Sequence, residues 1–378
     1  MRTHLVVLLI AGVVLTLYFN GFFIPKPDKS FSFPTDARLR QMAQEGGLGA
    51  VPRRWQAIRT LVDHPANPVT SAKVALGKKL FFDPILSKDR TINCASCHHL
   101  EEGGDDNRPT AVGYHGQANP KHLNAPTVLN AALAKREFWD GRSPDVEDQA
   151  KGPIQAPFEM AMTPKEVVER LKKRADYVHD FAQVFPKRGI TFDTVAAAIG
   201  AYERTLLTRG AFDRYLDGDD DAIDQKAKKG LYLFIRIGCK GCHTGVSVGG
   251  QSLQHFPLRR YNSLLEPRSV YVNGERYFAG FSWQKPKGDA PYPFADIGGF
   301  HGKDASFLFR VPILRNVTET APYFHNGSVE KLEDAVRMMA RHQLGLTLSR
   351  EQIGQIVAFL KTLRGDMIEY ESGGNEGR

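Results

Sequence analysis

Apolar positions recur with helical spacing along most of the chain and rarely alternate as they do in a strand. Ser71 to Phe82 reads as a helix, and Phe82-Asp83-Pro84 forces a turn after it. Pro164 to Phe185 carries Val167, Val168, Leu171, Tyr177, Val178 and Phe181 on one side, so a single amphipathic helix is predicted. Asp193 is placed to cap an Ala-rich, partly buried helix over Thr194–Arg209. Ala227 to Phe234 reads as a helix running into Cys239. Leu332, Ala335, Val336 and Met339 fall at i, i+3, i+4 and i+7, with Ser328 as the expected cap. Ser349-Arg350-Glu351-Gln352 is a capping box ahead of Ile353, Ile356, Val357, Leu360 and Leu363. The predicted fold class is all-α.

Other stretches break the helical pattern. Asp217, Asp219 and Asp221 match the first, third and fifth positions of a calcium loop. Ala222 and Lys228 stand where a Gly and a bidentate Glu are required, so an exposed hinge is predicted. Residues 254–302 hold many aromatics and charges without a strong period and read as a local insertion. The Gly- and Glu-rich tail after Arg364 reads as disordered.

The amino end is different again. Leu5 to Phe19 carries no charge, and apolar residues continue to Ile24, enough for one membrane crossing. The bulky Tyr18-Phe19-Asn20-Gly21-Phe22-Phe23 lacks the small residues of a cleavage site. An uncleaved anchor is therefore favoured over a cleaved signal, with Arg2 inside and the body outside. Pro25 to Ser30 forms a tether.

With 378 residues, two or three domains are expected. The net charge of +8 favours acidic partners in general terms, but no basic run interleaved with aromatics points to nucleic acid. All four cysteines lie in Cys94-Ala95-Ser96-Cys97-His98 and Cys239-Lys240-Gly241-Cys242-His243. Each reads C-x-x-C-H, the attachment site of a haem c. Two thiols reach the vinyl groups of one porphyrin while the imidazole meets its iron. In a helical turn those positions share a face. A redox dithiol or half a zinc site is the ordinary alternative for one C-x-x-C. The immediate His in both copies decides for two haems, with His98 and His243 as proximal ligands. His99 cannot face the same iron as His98. The loop from Gly103 to Pro126 offers His115 and His122 for a second axial position, although a lone loop His is more often solvent-exposed. Trp139 could equally be a core aromatic, and Glu159 a surface carboxylate. Met339 lies on the buried stripe, where a Met is usually plain core, and Met338 is rotated off it by about 100°.

Leu80-Phe81-Phe82-Asp83, Asn124-Ala125-Pro126-Thr127, Phe138-Trp139-Asp140-Gly141-Arg142 and Gln149-Ala150-Lys151-Gly152-Pro153 occur in that order around the first motif. Arg310-Val311-Pro312-Ile313-Leu314-Arg315-Asn316-Val317 and Thr320-Ala321-Pro322-Tyr323-Phe324-His325-Asn326-Gly327 follow the second. Together they resemble the bacterial di-haem cytochrome c peroxidases over about residues 70 to 365. The resemblance implies that the first haem reacts with peroxide and that its resting distal ligand is a loop His released on activation. His115 is the best match, displaced by one position from the family pattern, and His122 is the reserve. Glu159 is implied as the acid–base residue with Gln149 near it, and Trp139 as the electron stepping point between haems. The pattern Ala335-Val336-x-x-Met339 implies Met339 as the axial ligand of the second haem, where a thioether raises the potential. A calcium ion is implied at the Asn124 side chain and the carbonyls of Thr320 and Pro322. His325 is expected near a haem propionate.

These readings give two tandem cytochrome c-like domains behind an anchor or signal. The segments are 1–30 anchor and tether, 31–210 first domain, 211–365 second domain and 366–378 tail. The implied activity is reduction of hydrogen peroxide to water with electrons from a small cytochrome c or cupredoxin, in the periplasm. A homodimer is possible by the same resemblance. The alternatives are an electron-transfer cytochrome without turnover, or an oxidase acting on a protein substrate, in which type a Tyr replaces the axial Met.

Overall fold

Two glycines set the plan. In the computed structural model, which describes residues 32–258, 265–272, 275–283 and 293–370, a Cβ on Gly77 would lie 1.9 Å from the Ala198 carbonyl oxygen. A Cβ on Gly230 would likewise lie 1.9 Å from the Gln355 carbonyl oxygen. Each glycine sits on the helix before a haem motif and lets it touch the backbone of a later helix. The same helix crossing is thus built twice.

In chain order, α1 (Asp36–Glu45), α2 (Trp55–Val62) and α3 (Ser71–Phe82) precede the first motif. After it come α4 (Val146–Gln155), α5 (Pro164–Lys172), α6 (Ala175–Val184) and α7 (Phe192–Glu203), with α3 crossing α7. Strand β1 (Thr208–Gly210), α8 (Ala211–Leu216) and α9 (Gln225–Arg236) lead to the second motif. Beyond it are β2 (Leu253–His255), the hairpin β3 (Leu265–Val272) and β4 (Glu275–Trp283), and β5 (Leu308–Arg310). Helices α10 (Leu332–Leu344) and α11 (Arg350–Lys361) and strand β6 (Gly365–Met367) close the chain, with α9 crossing α11. Leu39 and Ala43 of α1 are buried in one cluster with Phe212, Tyr215 and Phe359, so the first helix packs on the second haem unit.

The structure corrects several expectations. The stretch Pro164–Phe185 is two helices, because Arg174 is extended at φ −110° and ψ 111°. The turn brings Leu171 and Tyr177 into one core. Helix α7 is capped by Thr191, whose hydroxyl accepts from the Thr194 N–H at 3.1 Å. Asp193 lies in its first turn and pairs with Lys151 at 2.7 Å. The helix ends at Glu203 rather than Arg209, and β1 begins five residues later. Ser328 does not cap α10, whose N-cap Lys331 makes no side-chain bond. The Ser349–Gln352 capping box stands as predicted.

Residues 365–370, the described part of the tail, are also more ordered than expected. Strand β6 pairs antiparallel with β1, and the Tyr370 ring meets Trp55 edge-on at 4.9 Å. The fold is mostly helical rather than all-α, since three two-stranded sheets accompany the helices among the described residues. The hairpin β3–β4 occupies the stretch that lacked a period, and its Phe278 is buried in the second unit's core. Among the described residues no helix is long and apolar enough to cross a membrane. The predicted anchor at Leu5–Ile24 lies outside the described residues.

One buried ion pair pins these parts together. Asp213 and Arg315 have fully buried side chains. The guanidinium donates to both carboxylate oxygens at 2.7 and 2.8 Å and to the Val246 carbonyl at 2.6 Å. The same carboxylate accepts from the N–H groups of Val51 and Gly210, each at 2.8 Å. With its hydrogen bonds satisfied in this way, such a pair holds a fixed arrangement more than it adds net stability.

Candidate active site

Each haem motif opens with a single tight turn. Asn93 accepts from the Ser96 N–H at 3.0 Å, and the His98 N–H reaches the Cys94 carbonyl at 3.0 Å. In the second motif Gly238 takes φ 108°, which turns the chain out of α9, and the His243 N–H reaches the Cys239 carbonyl at 3.0 Å. Both thiols and the imidazole of each motif therefore share one side of a turn, as haem attachment requires. All four cysteines are partly buried, and none pairs with another in a disulfide.

The Nδ1 of His98 is engaged, which leaves its Nε2 for an iron. His98 Nδ1 lies 3.0 Å from the Gly104 carbonyl, which fixes the ring and its tautomer. Burial lowers its pKa. His243 is buried, and burial pushes its pKa down to about 4 despite the nearby carbonyls of Val248 and Pro312. Its Nδ1 closes no well-aligned hydrogen bond with either. Both rings are thus neutral and available as ligands. An apolar cavity runs from Cys239, Cys242 and His243 to Met339, with Trp139 and Asn124 supplied by the first unit. Met339 lines this cavity and Met338 does not. The residues fit a haem held by two thioether bonds, one imidazole and one thioether ligand.

Around the first motif, the Cys97 thiol lies 3.9 Å from the Val112 carbonyl. The following loop is fastened to the segment of Glu159. The Tyr114 N–H donates to the Glu159 carbonyl at 2.7 Å, and a Cβ on Gly113 would sit 2.4 Å from the Phe158 oxygen. Burial raises the Glu159 carboxyl from 4.5 to about 6, and Arg142 pulls it the other way. His115 stands at the loop tip with φ 55°. Its ring is 63% exposed, stacks on Tyr114 at 4.0 Å and points Nε2 toward Asp89 at 3.9 Å. His122 is half-buried at φ 49°. Gln149 is half-buried on α4, and no hydrogen bond joins it to Glu159 among the described residues.

Trp139 joins the units. Its Nε1–H donates to the Asn124 carbonyl at 2.9 Å, and its ring centre lies 6.4 Å from that of His325. His325 is buried in a cage that includes Phe309, stacked on it at 4.6 Å, and lines the second cavity. The Asn124 amide meets the Pro322 carbonyl at 3.3 Å and the Arg108 carbonyl at 2.8 Å. Asn124 and Pro322 are thus neighbours, but the amide N–H of Asn124, and not the oxygen a calcium ion would need, faces the Pro322 carbonyl.

A family model described as di-haem cytochrome c peroxidase matches residues 71–221. Cytochrome c551 peroxidase of Pseudomonas aeruginosa is 42% identical over 309 residues, covering 80% of this chain and 82% of that one. The chain belongs to the di-haem cytochrome c peroxidase family. Within that family's reach lies the methylamine utilization protein MauG of Methylorubrum extorquens, 32% identical over 337 residues and covering 86% of this chain and 87% of that one. The solved structure of a MauG-like protein associated with microbial copper homeostasis aligns with a TM-score of 0.61 at 26% identity. It covers 80% of this chain and 93% of that one. The paired haem units described above are therefore family architecture. Sequence reasoning missed Glu137 and Arg310, which lie buried beside Trp139. Arg310 opens the quoted Arg310–Val317 segment but had been given no role, and Glu137 had as its signal only its place before Phe138–Trp139.

Proposed function

We propose that this di-haem cytochrome c peroxidase reduces hydrogen peroxide to water with electrons from a small cytochrome c or cupredoxin. The observation that carries the reading is Glu159, a carboxyl raised to about 6 in a partly buried setting behind the loop that touches Cys97. Cleaving a peroxide O–O bond needs a proton taken from one oxygen and delivered to the other. A carboxylate near its pKa can do both. The bound haems supply the redox chemistry, two electrons per peroxide.

The chain's own residues then divide the work. His98 and His243 would each hold an iron, and Met339, which lines the same cavity as His243, would supply the thioether ligand there. Glu159 moves the proton, with Gln149 near it. Trp139 bridges the units at the edge of that cavity. His115 is the candidate sixth ligand of the first haem, with His122 in reserve. Its exposed ring and the pinned loop mean that the loop must rearrange before His115 could reach an iron. Calcium would be held by the Asn124 side chain and the carbonyls of Thr320 and Pro322, all hard oxygen donors. The leader composition supports a periplasmic enzyme, either anchored by residues 5–24 or released by cleavage.

A second reading, oxidation of a protein substrate, is suggested by the MauG relative. Met339 opposes it, because the resemblance gives that type a Tyr there. A steady-state assay with reduced cytochrome c and hydrogen peroxide tests the proposal. Turnover that consumes two reduced cytochromes per peroxide supports it. Failure to turn over peroxide, before and after one-electron reduction with calcium present, overturns it.

A further inference from the structure

Behind Trp139 lies a buried ion pair that spans the two haem units and has spare bonding capacity on both sides. Glu137 is 5% exposed and Arg310 is 4% exposed. Their closest approach, Glu137 Oε2 to Arg310 Nη1, is 4.0 Å, too long for a hydrogen bond. Glu137 Oε1 and Arg310 Nη1 have no hydrogen-bond partner among the described residues. A buried polar group left so is costly, and more so when charged.

Arg310 already has one role. Its backbone N–H donates to the Trp139 carbonyl at 2.7 Å and its Nε to the Phe138 carbonyl at 3.1 Å. The strand end of β5 therefore fixes the backbone of Phe138–Trp139, and Arg310 also lines the second haem's cavity. Glu137 faces Arg310 from the second unit, and Arg204, Asp145 and Glu203 from the first. Arg204 is occupied, donating to Glu147 at 2.6 and 3.0 Å. Asp145, Glu137, Glu147 and Glu203 thus set four carboxylates against two guanidiniums, Arg204 and Arg310. Burial raises the Glu203 carboxyl well above its ordinary value, so it holds the first proton. One negative charge is then still in excess, and a proton on Glu137, beside Arg310, relieves it most simply.

We propose that Arg310 is a positioning residue for Trp139 and that Glu137 takes up a proton when an electron enters the adjacent cavity. The step balances: one electron from the donor converts ferric to ferrous iron, and one proton from solvent converts the Glu137 carboxylate to the acid. The net charge of the interior is unchanged. Burial raises the Glu137 carboxyl from 4.5 to about 7, which places its titration where a charge change nearby can tip it. The inference rests on the di-haem reading, but it concerns the second haem alone and does not depend on peroxide turnover.

The test is the midpoint potential of the second haem in the full di-haem protein, followed optically as a function of pH. One proton per electron changes the reduction equilibrium tenfold per pH unit, about 59 mV. The parent is expected to approach that slope at and above neutral pH, and Glu137→Gln to lose it with both haems still attached. Glu137→Asp, which keeps a titrating carboxylate, keeps a slope. Arg310→Lys, which cannot hold the Phe138 carbonyl in the same way, slows electron transfer between the haems while the slope persists. A parent with no slope, a Glu137→Gln protein with an unchanged slope, or equal loss in Glu137→Gln and Glu137→Asp overturns the proposal. A protein that shows the slope yet reduces no peroxide overturns the peroxidase reading and leaves this one standing.

Discussion

Replacing Glu159 by Gln is the most informative single change. The side chain keeps its shape and loses its charge and its ability to shuttle a proton. Burial has displaced the carboxyl from 4.5 to about 6, which corresponds to roughly 2 kcal/mol of lost hydration for the ionised form. The folded protein thus holds this proton more tightly than the unfolded chain does. Stability must therefore fall as pH rises through the interval from about 4.5 to 6. Glu159→Gln removes that decline and is expected to be more stable at neutral pH, by up to roughly 2 kcal/mol. Activity moves the opposite way. The ionised carboxylate accepts the peroxide proton, so kcat/KM of the parent should rise with pH through about 6 and then level. Glu159→Gln should lose about 10²–10⁴ of that rate and lose the acid limb as well. Peroxide reduction by stopped flow over roughly pH 5 to 8, with denaturant melts on the same samples, reads both effects. A Glu159→Gln protein that keeps most of its rate and the same acid limb would refute the assignment.

Other consequences can be measured separately. Met339→His should leave the second haem attached through Cys239 and Cys242 and lower its potential by on the order of 0.1 V or more, within the roughly 0.8 V that axial ligands span. Potentiometry checks this. Asp213→Ala leaves Arg315 charged and buried without its partner, and should cost about 3–5 kcal/mol in a denaturant melt. Gly230→Ala drives a methyl into the Gln355 carbonyl, 1.9 Å away, and should cost about 1–3 kcal/mol by overpacking the α9–α11 crossing. Calcium chelation should reduce peroxide turnover in the parent and have no further effect in Asn124→Ala. Calorimetric titration of calcium into the chelated parent should show binding that the variant lacks.

What could be read in advance followed physical locality. The capping box at Ser349 is written in adjacent residues and stands in the structure as expected, and each Cys-x-x-Cys-His run, equally local, closes a single turn. Met339 was legible because helical spacing put it on the stripe with Leu332, Ala335 and Val336, and the second cavity is lined by all four. Helix ends were harder. Thr191 and Asp193 both suit a cap, and only the distant Lys151 shows why Asp193 is not used. The break at Arg174 carries no Gly or Pro and follows from a core shared by Leu171 and Tyr177. Pairings across long sequence distance left no local trace. Strand β6 forms only because β1 lies beside it, and Asp213 is buried only because Arg315 comes to it. The hairpin β3–β4 was hidden because few of its residues alternate cleanly in polarity. His115 shows the limit of motif matching: its position in sequence suits a ligand, and its ring stands exposed at the loop tip.

The central claim is that the two irons are treated differently, one clamped between His243 and Met339 and the other able to offer a site to an oxidant. The direct measurement is to reduce the di-haem protein by one electron, with calcium present, and titrate it with cyanide while recording electron paramagnetic resonance. The account predicts that one equivalent binds at the ferric first haem and that the spectrum of the second is untouched. Binding at neither iron, or equal binding at both, would contradict it.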